Sequence, residues 1–138
     1  MKRIIAIDYG DARTGVAGSD LTGPLAGEAL TIQEWNAEKL AQRLAFFARE
    51  RDAEKFVLGL PKNMDGTEGP RAEKARQFKA LLEEASGLPV ILWDERRSTI
   101  EAHAILHAAG KKEKKHRANV DAVAATLLLE GYLASPNR

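Results

Sequence analysis

Arg3-Ile4-Ile5-Ala6-Ile7-Asp8 is a continuous apolar run, rich in β-branched residues and closed by a carboxylate. A strand buried on both faces reads this way, because neither face calls for polar alternation. The run therefore predicts a central strand. Working outward, Gly10 and Asp11 supply a turn. Thr14 to Ser19 and Leu25 to Ile32 predict two more strands, separated by the breaker Leu21-Thr22-Gly23-Pro24. The opening is a three-strand meander. From Ala37 the period changes: Leu40, Leu44 and Phe47 fall at i, i+4, i+7, one face of a helix ending near Arg51. Lys55-Phe56-Val57-Leu58-Gly59-Leu60 is a second buried run, stopped by Pro61 and followed by a polar loop from Lys62 to Pro70.

Ala75, Phe78, Leu82 and Ala85 mark a second helix closed by Gly87, and Pro89-Val90-Ile91-Leu92-Trp93 a fifth strand. Ser98-Thr99-Ile100-Glu101 has the form of a capping box, predicting a helix to Gly110. Lys111 to Arg117 reads as a basic connector, after which Asn119 would cap a last helix with Ala122, Ala125 and Leu129 inward. This order predicts an α/β fold. Its five-stranded mixed sheet joins a three-strand antiparallel meander to parallel crossover strands, with helices on both faces.

At 138 residues the chain suits one domain, spanning 1–138. It has no cysteine, which excludes disulfide scaffolds, thiolate zinc sites and cysteine nucleophiles. A hydrophobic share of 44% with 30% charged residues fits a globular chain, and no apolar run approaches a membrane span or a signal-peptide core. A cytoplasmic setting is expected. Lys and Arg total 21 against 20 Asp and Glu, so attraction to nucleic acid has to come from local clusters.

Three acidic positions stand out by location. Asp8 ends the first strand, Asp94-Glu95 ends the fifth, and Asp121 lies near the start of the last helix. Ligands of open α/β sheets gather at the carboxyl ends of parallel strands. Clustered carboxylates suit a hard cation, Mg²⁺ or Mn²⁺, over zinc, and two such ions support phosphodiester cleavage. Each position also has a plain reading: a turn aspartate at Asp8, a helix-dipole partner at Asp121, an ion pair of Glu95 with Arg96 or Arg97. Lys111, Lys112, Lys114, Lys115 and Arg117 form a local cationic surplus, and Arg13, Lys62, Arg96 and Arg97 flank the carboxylate edge, where they can hold phosphates. Trp35 and Trp93 read as packing residues. His103, His107 and His116 are too dispersed for a persuasive metal site.

Four stretches, Ile7 to Ala17 (IDYGDARTGVA), Val57 to Thr67 (VLGLPKNMDGT), Trp93 to Thr99 (WDERRST) and Val120 to Ala125 (VDAVAA), resemble the YqgF family over essentially the whole chain. The resemblance implies an RNase H-like fold and an enzyme described in two ways: a nuclease that processes the 5′ end of pre-16S ribosomal RNA, or a Holliday junction resolvase. It implies that Asp8, Glu95 and Asp121 are catalytic and bind Mg²⁺ or Mn²⁺, with Asp94 the rival to Glu95. Asn63 joins the basic residues in the implied nucleic-acid-binding set. Pre-rRNA, in ribosomal precursor particles, is the preferred partner and four-way DNA the alternative. The loop after the fourth strand, Gly59 to Asn63, lacks the acidic residue that related resolvases carry there.

Two other classes remain as expectations to discriminate. A non-catalytic RNA-binding factor would keep the fold without the chemistry. Actin-like kinases share an Asp-x-Gly first strand but need two lobes, and this chain supplies one. The implied oligomeric state is monomer or homodimer, since symmetric junction cuts need two sites.

Overall fold

A computed structural model describes residues 3–19, 26–94 and 113–135 of the chain. Among these described residues five strands and three helices follow in order: β1 (Arg3–Asp8), β2 (Arg13–Ser19), β3 (Ala26–Gln33), α1 (Ala37–Glu50), β4 (Ala53–Leu60), α2 (Pro70–Ser86), β5 (Val90–Asp94) and α3 (Glu113–Ala134). The strands form one sheet in the order β3-β2-β1-β4-β5. β1 pairs antiparallel with β2, and β2 antiparallel with β3, while β1, β4 and β5 run parallel. The mixed sheet expected from the sequence is therefore present, with β1 at its centre.

Alternation along β1 divides its side chains between two cores. Ile5 and Ile7 join Val16, Phe56 and Leu58 beneath α1 and α2, packing on Leu40, Leu44, Phe78 and Leu82. Ile4 and Ala6 face the other way with Ala17 and Val57, against Ala125, Leu128, Leu129 and Tyr132 of α3. Since both faces are covered, the central strands read as unbroken apolar runs.

Local chemistry sets the helix ends. The Asn36 side chain caps α1 by accepting the Lys39 N–H at 2.9 Å. Pro70 opens α2 at a position whose N–H needs no partner, and Gly87 closes it in the left-handed region at φ 71°, donating to the Glu83 carbonyl at 2.9 Å.

Two expectations are corrected. Residues 113–117 belong to α3 and not to a connector, so Asn119 lies inside a helix instead of capping it. Glu, Lys and Arg are good helix formers, and a polar helical turn carries no apolar period to announce it. Trp35 is 74% exposed and is not a packing residue, whereas Trp93 packs edge-on against Tyr132 with centroids 5.3 Å apart. The helix expected between Ser98 and Gly110 lies outside the described residues.

Candidate active site

Asp8 sits at the carboxyl end of β1, on the side of Ile4 and Ala6 and so on the α3 face. Its partner across the antiparallel ladder is Gly15 of β2. On the other flank, β4 runs parallel with Ile7 opposite Leu58, which brings Gly59 level with Asp8. Glycine on both sides leaves the sheet bare around this carboxylate.

The bare surface is occupied from above by main chain. A Cβ on Gly15 would overlap the backbone carbonyl of Asp121 and stand 3.2 Å from the Ala122 nitrogen. Only glycine lets α3 descend this far onto β2. The contact carries Asp121 to Asp8, since Gly15 is the neighbour of both.

The electrostatics agree with this juxtaposition. Burial pushes the Asp121 carboxyl up to about 6, and the Asp8 charge adds to the rise. Arg13 opposes it, with its Nε 4.0 Å from Asp121 Oδ2. Arg13, expected among the phosphate-binding residues, thus stands beside a carboxylate in this structure. The loop from Tyr9 to Arg13 is pinned at two points. Tyr9 stacks on Phe78 with centroids 4.3 Å apart, and the buried Thr14 hydroxyl accepts the Gly10 N–H at 3.3 Å.

Pairing at the far strand fixes the face on which Asp94 lies. Leu60 and Asp94 are register partners, and Leu60 packs under α1 and α2. Trp93, one residue earlier, packs on the α3 side. Asp94 therefore lies on the face away from Asp8 and Asp121. Glu95, Arg96, Arg97, Lys111 and Lys112 lie outside the described residues. The backbones of Lys114 and Arg117 fall about two turns and one turn before Asp121 along α3, with Lys115 between them.

Lys62 is half-buried at the start of the loop after β4. Asn63 is committed to that loop: its Nδ2 donates to Thr67 Oγ1 at 2.9 Å and its N–H to the Thr67 carbonyl at 2.8 Å. Among the described residues no three His, Cys, Asp or Glu side chains converge on one point. Asp8 and Asp121 place two carboxylates on one face. Sequence reasoning missed Gly15 and Gly59 as site-forming residues; their signal was a glycine inside an otherwise apolar strand.

The pattern of the RuvX family, described as Holliday junction resolvase, matches residues 2–135. A Halothermothrix orenii protein named "Putative pre-16S rRNA nuclease" is 42% identical over 137 residues, covering 99% of this chain and 97% of that one. A Bacillus licheniformis protein of the same name is 42% identical over 137 residues, covering 98% and 99%. Among solved structures, Thermus thermophilus RuvC in complex with Holliday junction substrate aligns at a TM-score of 0.57 with 13% identity, over 97% of each chain. That likeness is one of fold, and it matches the RNase H-like sheet expected from the sequence. With the family pattern spanning nearly the whole chain and relatives at two-fifths identity, this protein belongs to the RuvX Holliday junction resolvase family.

Proposed function

We propose that this single domain is a divalent-metal-dependent nuclease that hydrolyses phosphodiester bonds in processing the 5′ end of pre-16S ribosomal RNA. The observation that carries the reading is the backbone contact at Gly15, which brings Asp121 to Asp8 on a side-chain-free stretch of the sheet edge. The curated relatives' name favours the RNA substrate.

The donor set fits a hard cation. Two carboxylates meet in a half-buried place where Asp121 is held toward its neutral form by burial and then by the Asp8 charge, and a Mg²⁺ or Mn²⁺ ion would relieve the repulsion between them. Glu95 is the third ligand in this reading, supported by Asp94 lying on the opposite face. Held by these carboxylates, a divalent ion would supply a lowered pKa for water and stabilisation of the leaving oxygen. The chain's own residues do the rest. Asp8 and Asp121 bind and orient the cation, while Arg13, Lys62, Asn63, Arg96 and Arg97 border the edge where a phosphate strand would lie. Lys111, Lys112, Lys114, Lys115 and Arg117 extend that border along the approach to α3. The proposed setting is the cytoplasm, on ribosomal precursor particles. Among the described residues no helix is long and apolar enough to cross a membrane.

The family's description favours a second substrate, a four-way DNA junction. Cleavage by wild type and Asp8→Asn, on a precursor 16S leader and on such a junction with Mg²⁺ or Mn²⁺, decides between them. RNA cleavage lost in the variant is the expected result. Junction cleavage alone reverses the substrate. Tight RNA binding without cleavage of either identifies a non-catalytic binding factor.

A further inference from the structure

The exposed large hydrophobic side chains among the described residues are Trp35, Phe46 and Met64. Trp35 stands out for where the sheet puts it. β1 and β3 run in the same direction, each antiparallel to β2 between them, so the end of β3 and the Asp8 end of β1 share one edge. Arg13, which opens β2 at that edge, is the register partner of Gln33. The ladder is extended by the Glu34 N–H, which donates to the Ala12 carbonyl at 2.9 Å. Trp35 is the next residue. From Asp8 it lies two strand spacings sideways and at most four residues of rise outward, on the order of 15 Å between backbones.

Both neighbours of Trp35 are held in place. Asn36 caps α1 by accepting the Lys39 N–H at 2.9 Å, and its own N–H donates to Glu34 Oε2 at 3.3 Å. Arg43 holds the other oxygen of Glu34 at 3.5 Å. The indole is thus mounted on fixed backbone and left in water. Among the described residues no ring or cation stacks on it.

The surroundings choose the occupant. A protein contact calls for contiguous apolar surface. The apolar groove between β3 and α1 is lined by Leu30, Ile32, Phe46 and Phe47, and Trp35 is not part of it. Its chain neighbours Glu34, Asn36, Glu38 and Lys39 are polar. A lone indole among polar groups, at the edge where a phosphate strand would lie, suits the face of a nucleobase. Charge adds little here, since Glu34 is met by Arg43 and Glu38 stands next to Lys39.

We infer that Trp35 stacks on an unpaired base of the strand whose scissile phosphate lies at Asp8 and Asp121. The inference rests on the nuclease reading and adds to it the form of the substrate. A base inside a duplex is already stacked on its neighbours and must be unstacked before a side chain can take it. The protein therefore prefers a strand that is single within a few nucleotides of the cut.

Binding measured with Asp8→Asn in chelator keeps this question apart from cleavage, so failed stacking and a failed nuclease show in different assays. The probes are a single strand of about twelve nucleotides, made as RNA and as DNA, and a long duplex of the same composition. Adding Trp35→Ala should weaken single-strand binding about tenfold or more, on both sugars, and leave the duplex unchanged. Trp35→Phe should keep most of the affinity. The dependence on salt should stay as it was, because no phosphate contact is lost. Binding should quench the parent's tryptophan fluorescence but not that of Trp35→Phe, whose remaining Trp93 packs on Tyr132. Melting temperatures near the parent's establish that the variants are folded. Unchanged single-strand affinity in Trp35→Ala, equal losses on single strand and duplex, or a shallower salt dependence each overturns the proposal. So does a Trp35→Ala variant that binds the oligonucleotides normally but no longer sediments with ribosomal particles, which would make Trp35 a protein contact.

Discussion

The two faces of the sheet are built on different terms. Under α1 and α2 lie large side chains, including Ile5, Ile7, Leu40, Leu44, Phe56, Phe78 and Leu82, packed side chain on side chain. Under α3 the sheet contributes Ile4 and Val57 together with the small Ala6 and Ala17, and at Gly15 main chain touches main chain. One face derives its stability from buried area. The other gives up side-chain volume so that two carboxylates come together. Stability and site geometry are thus separable in this molecule, and substitutions should tell them apart.

The largest stability effect belongs to the first face. Phe78→Ala removes a buried ring and the stack beneath Tyr9, and should cost about 3–5 kcal/mol in chemical denaturation. Cleavage per folded molecule should fall little, since Asp8 keeps its place in the ladder. A strong loss of activity in the fully folded variant would mean that the Tyr9 stack positions the site.

Gly15→Ala should invert that pattern. Its Cβ has nowhere to go beneath the Asp121 carbonyl, so α3 must lift, at about 1–3 kcal/mol. A shift of this kind at the reacting centre lowers cleavage by about a hundredfold. Gly18→Ala in the same strand is the control: its Cβ meets the Glu28 side chain at an ordinary 3.7 Å and should leave cleavage unchanged. Equal effects of the two would show that strand propensity, and not the α3 contact, is responsible.

A third test uses pH. The Asp121 carboxyl is held near 6 in the fold against 3.8 when unperturbed, by burial first and Asp8 second. The folded state therefore binds the proton more tightly than the unfolded chain, so this group's stabilising contribution is complete below pH 4 and is lost as pH rises through about 6. In chelator, Asp121→Asn should flatten that part of the stability profile and raise stability at pH 8; with Mg²⁺ or Mn²⁺ supplied, it should abolish cleavage. An unchanged profile would mean that burial and the Asp8 charge do not raise the Asp121 carboxyl.

The smallest effect is expected at Arg51, which pairs with Glu28 at the opposite end of the sheet and lies over the Phe47 ring at 3.6 Å. Arg51→Ala should cost about 1 kcal/mol or less, because the pair is partly exposed, and should not touch cleavage.

The strands and the first two helices were legible because burial on both faces writes itself as apolar runs and i, i+4 spacing. Their observed limits lie within a few residues of those expected. Asp8 was legible as a strand-end carboxylate. Its neighbours were not: Gly15 and Gly59 matter for what they lack, and an absent side chain leaves no periodic mark. The first turns of α3 were unreadable for a related reason, since their residues are polar on every side. The face on which Asp94 lies depended on the register of β5 against β4, which pairing alone discloses.

The Gly15 contact also acts as a gauge. From Asp8 across one ladder rung to Gly15, and from Gly15 to the carbonyl of Asp121, every link is peptide backbone. Rotamers do not enter this path. Thermal loosening of the cores would blur side chains on both faces yet leave the spacing of the two backbone positions that bear the carboxylates nearly constant until α3 detaches as a unit. Catalysis in this protein should therefore fail with warming as an abrupt event tied to one helix, without a long decline beforehand.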